Sequence, residues 1–136
     1  MRLSFTPPSP AEFKSLYDET GWADHSVETF ASALAGSWIV CTARDDDGTV
    51  LGMGRLIGDG ALHAFVTEML VTESSRGRGT GAAILNALVA RARERGVDDI
   101  QLFAARDRER FYERHGFAAR PADAPGMDVV TEPSSV

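Results

Sequence analysis

Six residues in the middle of the chain, Arg76 to Gly81, alternate glycine with polar residues in the order Arg-Gly-Arg-Gly-Thr-Gly. Because glycine has no Cβ, such a backbone can turn tightly and point successive N–H groups at one cluster of oxygen atoms. The stretch follows an apolar run that ends at Val71, and it opens a helical pattern whose first N–H groups are unpaired and positive. Arg76 and Arg78 add fixed charge and forked donors that suit phosphate oxygens. Together these features predict a site for a pyrophosphate group.

The spacing of the glycines separates the known kinds of phosphate site. A nucleotide-hydrolysing loop ends in Gly-Lys-Ser/Thr, whereas this chain continues as Gly81-Ala82-Ala83, which excludes that class. A dinucleotide fingerprint requires Gly-x-Gly-x-x-Gly and an acidic residue that closes the next strand. Here glycine recurs at every second position, and Asp98 and Asp99 precede the next apolar run. The glycine spacing therefore does not favour a nicotinamide-dependent oxidoreductase, which would be expected to bind NADH.

Two motifs resemble those of the GCN5-related N-acetyltransferase (GNAT) superfamily. Arg76, Gly79 and Gly81 match its central motif, Arg/Gln-x-x-Gly-x-Gly/Ala. Downstream, residues 111–117, Phe-Tyr-Glu-Arg-His-Gly-Phe, resemble its second signature, Phe-Tyr-x-x-x-Gly-Phe. The stretch 117–127 resembles a subgroup that includes plant and cyanobacterial-type aralkylamine (serotonin) acetyltransferases. The resemblance covers nearly the whole chain.

The resemblance implies a fold and a cofactor. The expected fold is a mixed α/β (α+β) single domain over residues 1–136, with helices on both faces of a central sheet. The sheet is expected to be mostly antiparallel, to have six to seven strands, and to splay between the fourth and fifth. The implied cofactor is acetyl-CoA, with its pyrophosphate on the glycine turn and its pantetheine arm paired to the fourth strand. The residues that would bind it are Met69, Leu70, Val71, Arg76, Gly77, Arg78, Gly79, Thr80, Gly81 and Ala82.

Acetyl transfer to an amine requires one group that protonates the departing thiolate and another that deprotonates the nitrogen. By resemblance Tyr112 occupies the general-acid position, and a phenol with an ordinary pKa of about 10 suits that transfer. The alternative is that Phe111 and Tyr112 are core aromatics. Glu68 is the predicted base, with an ion-paired strand glutamate as the alternative. Backbone N–H groups near Leu70 are predicted to stabilise the oxyanion.

Aromatic and histidine residues outside these motifs are candidates for the acceptor site. Trp22, Phe30 and Phe65 would line an aromatic-friendly acceptor pocket, with the protein core as the alternative role. His25 lies on the same helical pair and is a substrate-contact candidate. His63 is a second candidate for the base, although a lone strand histidine is more often structural. Among the remaining arginines, the one that would contact the 3′-phosphate of coenzyme A stays open.

Composition limits the possible classes of function. The 136 residues are 43% hydrophobic and 25% charged, which fits one globular domain. The formal net charge of −6 argues against a nucleic-acid surface. Cys41 is the only cysteine, so we expect neither an internal disulfide nor a thiolate metal cluster. We expect the Cys41 thiol to be buried and inert, and the protein to be located in a reducing cytoplasm. No apolar run approaches about eighteen residues, so we expect no membrane-spanning helix. The spacing of the histidines and carboxylates does not suggest a metal site.

Hydrophobic periodicity and turn residues predict alternating helices and strands. Gly36 and Gly96 are placed to end helices, and Asp45-Asp46-Asp47-Gly48 reads as a hairpin turn. The predicted elements, in chain order, are a strand over 2–6, a helix from a capping box at Ser9, a helix over 26–35, strands over 37–43, 49–57 and 61–71, a helix over 79–94, a strand over 97–104, a short helix over 107–114, and a final strand from Phe117 that Pro121 and Pro125 interrupt.

The sequence thus predicts an acetyl-CoA-dependent N-acetyltransferase that transfers an acetyl group to a primary amine of a small molecule within a ternary complex. A non-catalytic acyl-CoA-binding or regulatory module is the alternative. Tyr112 speaks against this alternative, whereas Ala105 slightly favours it, because many relatives carry an asparagine there. The predicted partner is the amine, without nucleic acid or membrane, and a homodimer is possible. The acceptor itself is not predicted.

Overall fold

The structure, a computed structural model, describes residues 1–131 and contains two compact units, Met1–Leu102 and Phe103–Val136. The single domain expected over residues 1–136 stays a prediction. The sequence also predicts loose ends, at residues 6–10 and 131–136, and of the second stretch all but Thr131 lie outside the described residues.

The first unit contains one five-stranded sheet whose strand order follows the chain, β1-β2-β3-β4-β5. The strands are β1 (Arg2–Ser4), β2 (Ile39–Arg44), β3 (Val50–Gly58), β4 (His63–Val71) and β5 (Asp99–Leu102). Its helices are α1 (Pro10–Asp18), α2 (Val27–Ala35) and α3 (Thr80–Glu94). The strands β1 to β4 pair antiparallel, and β5 pairs parallel with β4. Because a parallel pair needs a crossover, α3 connects β4 to β5.

Local sequence signals set the ends of the helices. The Oγ of Ser9 accepts from the Glu12 N–H at 3.1 Å, and the Glu12 carboxylate accepts from the Ser9 N–H at 2.8 Å, so the predicted capping box is present. The Oγ of Ser26 accepts from the Thr29 N–H at 3.2 Å and caps α2, and Gly36 ends that helix as predicted. Gly96, with φ +84°, follows the C-cap residue of α3.

Helices cover both faces of the sheet, as predicted. The helices α1 and α2 pack on one face, where the buried cluster comprises Phe13, Leu16, Phe30, Val40, Val50, Met53 and Leu70. Next to Met53, Gly54 faces the opposite side, where a Cβ would lie 2.9 Å from atoms of both Ile84 and Leu88 of α3. Alternation along β3 therefore places the helix pair and α3 on opposite faces.

Cys41 lies in the middle of the sheet. It pairs with Gly54 across β2 and β3, and its side chain is 0% exposed. Burial raises the pKa of the Cys41 thiol to about 11. The buried inert thiol predicted at this position is therefore present.

Aspartates close the turns between the antiparallel strands. The Oδ1 of Asp45 accepts from the N–H groups of Asp47 and Thr49, both at 3.1 Å, which confirms the predicted hairpin turn. The Oδ1 of Asp59 accepts from the N–H groups of residues 61–63 at 2.8–3.0 Å. These backbone hydrogen bonds hold the pKa of Asp59 at about 2.

The second unit contains one described helix, α4 (Glu109–Arg114), and no strand among its residues 103–131. The strand predicted from Phe117 is therefore wrong, and so is the strand count of six to seven. The stretch instead turns, since the Ala124 N–H donates to the Pro121 carbonyl at 2.9 Å and Arg120 Nε donates to the Ala124 carbonyl at 2.8 Å. Pro121 and Pro125 lack the N–H that a strand ladder needs.

Residues 1–131 contain neither a candidate membrane-spanning helix nor a candidate metal-binding cluster. No described helix is both long enough and apolar enough to cross a membrane. Among the same residues, no group of three or more His, Cys, Asp or Glu side chains is arranged to hold a metal ion.

Candidate active site

The segment between β4 and α3 forms the predicted glycine turn. After a single 3₁₀ turn, Glu73–Ser75, the chain is extended at Arg76 and left-handed at Gly77 and Gly79, with φ of +78° and +80°. A Cβ on either glycine would meet nothing within 4 Å. These positions therefore require glycine for backbone conformation and not for space.

The turn delivers unpaired N–H groups at the start of α3. The first bond into the helix runs from the Ala83 N–H to the Gly79 carbonyl at 3.0 Å. In the described part of the chain, 1–131, no N–H of residues 77–82 donates to another protein atom. Gly79 provides no side-chain cap, and the first turn of α3 holds no acidic residue. The site is therefore built to bind an anion, since the helix N-terminus is positive.

The two arginines of the turn have different surroundings. Arg76 Nε donates to the Val71 carbonyl at 3.3 Å, so this side chain spans from the turn back to the end of β4. Arg76 and Arg78 are both exposed. Thr80, the first residue of α3, is only 4% exposed. Arg76 therefore helps to shape the turn, whereas the Arg78 side chain has no hydrogen-bond partner among residues 1–131.

One edge of β4 opens where β5 ends. The parallel pairing runs from His63 with Asp99 to Val66 with Leu102 and includes no later residue of either strand. Within the described sheet, β4 beyond Val66 pairs only with β3. This agrees with the predicted divergence of the fourth and fifth strands and places open backbone beside the glycine turn.

Main-chain direction at the end of β4 follows from one hydrogen bond. The Thr72 N–H donates to the Leu51 carbonyl at 2.9 Å, so Thr72 faces β3. Because main-chain groups alternate along an antiparallel strand, the N–H and C=O of Val71 face the open edge. Leu70 is buried, its side chain belongs to the core cluster, and by the same alternation its main-chain N–H and C=O face β3.

A β-bulge interrupts β4 just before this open edge. Arg55 pairs with Thr67 and Met53 pairs with Leu70, so β4 has one residue more than β3 between these pairs. The extra residue, Glu68, has a φ of +45°. A left-handed conformation costs a residue with a Cβ about 1–2 kcal/mol. The bulge therefore persists only where neighbouring contacts stabilise it.

Those contacts are an ion pair with β3. Arg55 Nε and Nη2 donate to Glu68 Oε1 at 2.9 and 2.7 Å, and the Thr67 hydroxyl donates to Glu68 Oε2. The side chains of Arg55 and Glu68 are 13% and 18% exposed. The predicted base is therefore a half-buried, ion-paired carboxylate, which is the alternative that the sequence left open, and its catalytic role stays a prediction.

Three of the predicted substrate residues lie together in one aromatic cluster. The Tyr17 ring contacts those of Trp22, His25 and Phe30, with centroids 5.8, 5.6 and 5.2 Å apart. Trp22 is 56% exposed and His25 is also exposed, whereas Phe30 is buried at 3%. Trp22 and His25 thus present accessible rings, and Phe30 supports them from the core.

A hydrogen bond connects the end of α1, close to Tyr17, to the 3₁₀ turn that precedes the glycine turn. The Glu73 N–H donates to the carboxylate of Glu19, the residue that ends α1, at 3.0 Å. The aromatic cluster therefore adjoins the segment that leads into the turn.

His63 lies apart from these groups. It begins β4, and its Nδ1 is 2.5 Å from the Asp99 carboxylate at the start of β5. Eight residues of strand separate it from Val71, or about 26 Å at roughly 3.3 Å per residue. The structure therefore does not bring His63 to the open edge of β4, and its predicted substrate role stays a prediction.

Tyr112 lies on α4, in the second unit. Its ring contacts those of Phe111 and Phe117 with centroids 5.1 and 5.9 Å apart, and its carbonyl accepts from the N–H groups of His115 and Phe117. Burial raises the pKa of the Tyr112 phenol, which nearby Arg108 opposes in part. The phenol therefore stays protonated at neutral pH, as a proton donor must.

Two residues of the site drew no prediction from the sequence. Arg55 is one polar residue in a β-strand, and nothing in its spacing marks it as the partner of Glu68. In the sequence Tyr17 is one aromatic residue of a helix, and only the fold shows that it joins Trp22 and His25. A glycine at position 68 would have signalled a bulge, whereas a glutamate does not.

Comparisons with known proteins agree with this geometry. A family model described as the acetyltransferase (GNAT) family matches residues 4–117. Serotonin N-acetyltransferase 2, chloroplastic, of Oryza sativa subsp. japonica is 31% identical over 130 residues, which cover 93% of this chain and 65% of that protein. Histone acetyltransferase TAP1 of Glycine max is 29% identical over 126 residues, which cover 85% and 54%. The chain thus spans about half to two thirds of the length of these curated relatives.

Solved structures share the fold. A GNAT family acetyltransferase from Streptococcus pneumoniae TIGR4 superposes with a TM-score of 0.80 at 25% identity and covers 97% of both chains. Glucosamine-6-phosphate N-acetyltransferase from Arabidopsis thaliana has a TM-score of 0.74 at 13% identity, over 97% of this chain and 100% of that one. Since the family model matches most of the chain and carries the glycine turn, the chain belongs to the GNAT acetyltransferase family.

Proposed function

We propose that the protein is an acetyl-CoA-dependent N-acetyltransferase that acetylates a primary amine of a small molecule by direct transfer in a ternary complex. One observation carries this proposal: the turn with unpaired N–H groups adjoins the open edge of β4. The first suits a diphosphate and the second suits an extended amide-containing arm, and coenzyme A contains both. Membership of the family supports the same reaction.

The residues present fit this ligand. The N–H groups of residues 77–82 would hold the diphosphate, with Arg78 adding charge and Arg76 supporting the turn. The main chain of Met69–Val71 would pair with the pantetheine arm, and the Val71 N–H is the group turned to the open edge. When bound, acetyl-CoA supplies the thioester whose acetyl group passes to the amine. The N–H donors of this edge would stabilise negative charge on the acyl oxygen.

We assign the general-acid role to Tyr112. Its Oη carries a proton at neutral pH because burial raises the pKa of the phenol. That proton would pass to the sulfur as coenzyme A leaves. Glu68 is the candidate acceptor of the amine proton, and Oε2 is the oxygen that Arg55 does not bind.

We propose an aromatic amine as the acceptor class. Trp22, Tyr17 and His25 offer aromatic faces near Glu19, which binds the segment before the glycine turn, and such faces attract both a flat ring and an ammonium group. The rice relative carries serotonin, an arylalkylamine, in its name. The soybean relative is named a histone acetyltransferase, so a lysine side chain is the competing acceptor in any test.

The net charge and cysteine content support the remaining proposals. A formal charge of −6 favours a cationic small molecule over a nucleic acid or an anionic membrane as the partner. A single buried cysteine is compatible with the cytoplasm. The oligomeric state, including a homodimer, is to be measured in solution.

The test has a binding arm and a turnover arm. Calorimetry with coenzyme A and with acetyl-CoA should show heat, and no heat with either would refute the proposal. Thiol release and product mass should then be followed with a panel of arylalkylamines, polyamines, amino acids and lysine peptides. Arylalkylamine turnover supports the proposed acceptor, and exclusive peptide turnover refutes it. Binding without turnover of any amine would establish the non-catalytic module instead.

A further inference from the structure

Glu68 changes which side chains of β4 face each helix layer. Before the bulge, Thr67 is the partner of Arg55, and after it Leu70 is the partner of Met53. Without the extra residue, the end of β4 would shift by one position and every side chain would exchange faces. The bulge therefore sets both the burial of Leu70 and the direction of the Val71 main chain.

Three of the about four acceptor positions of the Glu68 carboxylate are used in this arrangement. Oε1 accepts two N–H bonds from Arg55, and Oε2 accepts the hydroxyl of Thr67. In a regular strand Thr67 and Glu68 would point to opposite faces, but the left-handed backbone turns Glu68 toward Thr67 and Arg55. The Glu68 carboxylate thus joins its own bulge to β3.

Arg55 is itself fixed from its other end. Its Nη1 donates to the Ser37 hydroxyl at 3.1 Å and to the Ala33 carbonyl at 3.3 Å. The Ser37 hydroxyl donates to the same Ala33 carbonyl at 2.7 Å. The guanidinium therefore joins the C-terminal end of α2, the helix that carries Phe30, to the bulge of β4.

We propose that Arg55 and Glu68 are positioning residues for acetyl transfer, and that Glu68 acts through this ion pair and not as the proton acceptor of the amine. The pair holds the left-handed bulge and thereby aims the main chain of Met69–Val71 at the donor. This inference rests on the proposed function.

The first experiment separates a base from a positioning residue by means of Glu68→Gln. Glutamine keeps the shape and an oxygen that accepts from Arg55, but it cannot take up the proton. We expect kcat/KM to fall less than about tenfold, with the acidic limb of the pH profile unchanged. A general base contributes about 10²–10⁴-fold, so a loss of that size together with the acidic limb would overturn the proposal.

The second experiment disrupts the other partner. Arg55→Met removes both Arg55 bonds to Glu68 and leaves only that of the Thr67 hydroxyl, whereas Arg55→Lys keeps the charge without the forked geometry. We expect kcat/KM for acetyl-CoA to fall roughly 10–100-fold in Arg55→Met, as misplaced reacting groups do, and less in Arg55→Lys. Wild-type KM and kcat in both variants would overturn the proposal.

A matched control is available in the Arg44–Glu12 ion pair. This pair also has two bonds, at 2.8 and 2.9 Å, and it joins β2 to α1 away from the bulge. Arg44→Met should lower the melting temperature while kcat and KM stay unchanged. Equal kinetic losses in Arg44→Met and Arg55→Met would show a general stability effect and overturn the proposal.

Amide hydrogen exchange tests the pair independently of turnover. In the absence of any ligand, Arg55→Met should accelerate exchange at Leu70 and Thr72, whose N–H groups face β3, by at least about tenfold, whereas Arg44→Met should not. A wild-type protein that acetylates no amine would refute the proposed function, and the exchange result would still decide the role of the pair. Unchanged exchange at Leu70 and Thr72 in Arg55→Met would overturn it.

Discussion

Replacing a left-handed glycine at each end of α3 tests the cofactor site against its own internal control. Gly79 precedes the helix with φ +80°, Gly96 follows it with φ +84°, and a Cβ at either position meets nothing within 4 Å. Alanine therefore introduces only a conformational penalty in both places, about 1–2 kcal/mol for the left-handed region. A stiffer unfolded chain offsets about 0.4–1 kcal/mol of it. Each variant should lose about 1 kcal/mol of stability, or roughly 2–5 °C in Tm.

Only one of the two variants should change ligand binding. In Gly79→Ala the backbone relieves the penalty by rotating, which turns the N–H groups of residues 79–81 away from their common direction. We expect the Kd for coenzyme A, measured by calorimetry, to rise at least about tenfold, equivalent to about 1.4 kcal/mol. Gly96→Ala should bind as the wild type does. Equal affinities in the two variants, with equal losses of Tm, would refute the assignment of the glycine turn to the diphosphate.

Three further predictions concern other parts of the chain. Tyr112→Phe should lower kcat at least about tenfold with little change in the Kd of coenzyme A, and unchanged kcat would remove this phenol from the mechanism. The Arg44 hydrogen bonds hold the pKa of Glu12 at about 2, below its ordinary 4.5, so that the ion pair is fully present above about pH 4.5 and is lost toward pH 2. Glu12→Gln should thus lower stability by about 1 kcal/mol at pH 7 and flatten its pH dependence in urea melts between pH 4.5 and 2, whereas parallel curves would contradict this. Gly54→Ala would place a methyl group 2.6 Å from the nearest side chain and should cost about 1–3 kcal/mol, while Gly36→Ala, with its nearest atom at 3.5 Å, should be nearly neutral; equal urea midpoints would contradict the overpacking argument.

The parts of the fold that local chemistry determines were predictable from the sequence. Positive φ at Gly77 and Gly79 favours glycine, so the glycine turn could be predicted from the residue types alone. Ser9, Gly36 and the Asp45 turn likewise set helix and hairpin ends at the expected places. In each case one residue type satisfies a constraint of the backbone within a few positions.

Features that depend on neighbours distant in sequence were not predictable in this way. Glu68 adopts a left-handed conformation because Arg55, thirteen residues earlier, holds its carboxylate, and neither residue type signals a bulge. The final strand predicted from Phe117 does not form, because the prolines lack the N–H groups that a strand ladder needs. The arrangement of Tyr17 with Trp22 and His25 likewise required the fold.

The buried thiol of Cys41 has a practical consequence for experiments on this protein. Since it is the only cysteine and its side chain is 0% exposed, the native protein offers no reactive sulfur to a chromogenic disulfide reagent. Coenzyme A released in an assay can then be read without a background from the protein. For the same reason, a cysteine introduced at a surface position would be the only reactive site for a thiol-specific fluorophore or spin label, and Cys41 would not have to be replaced first.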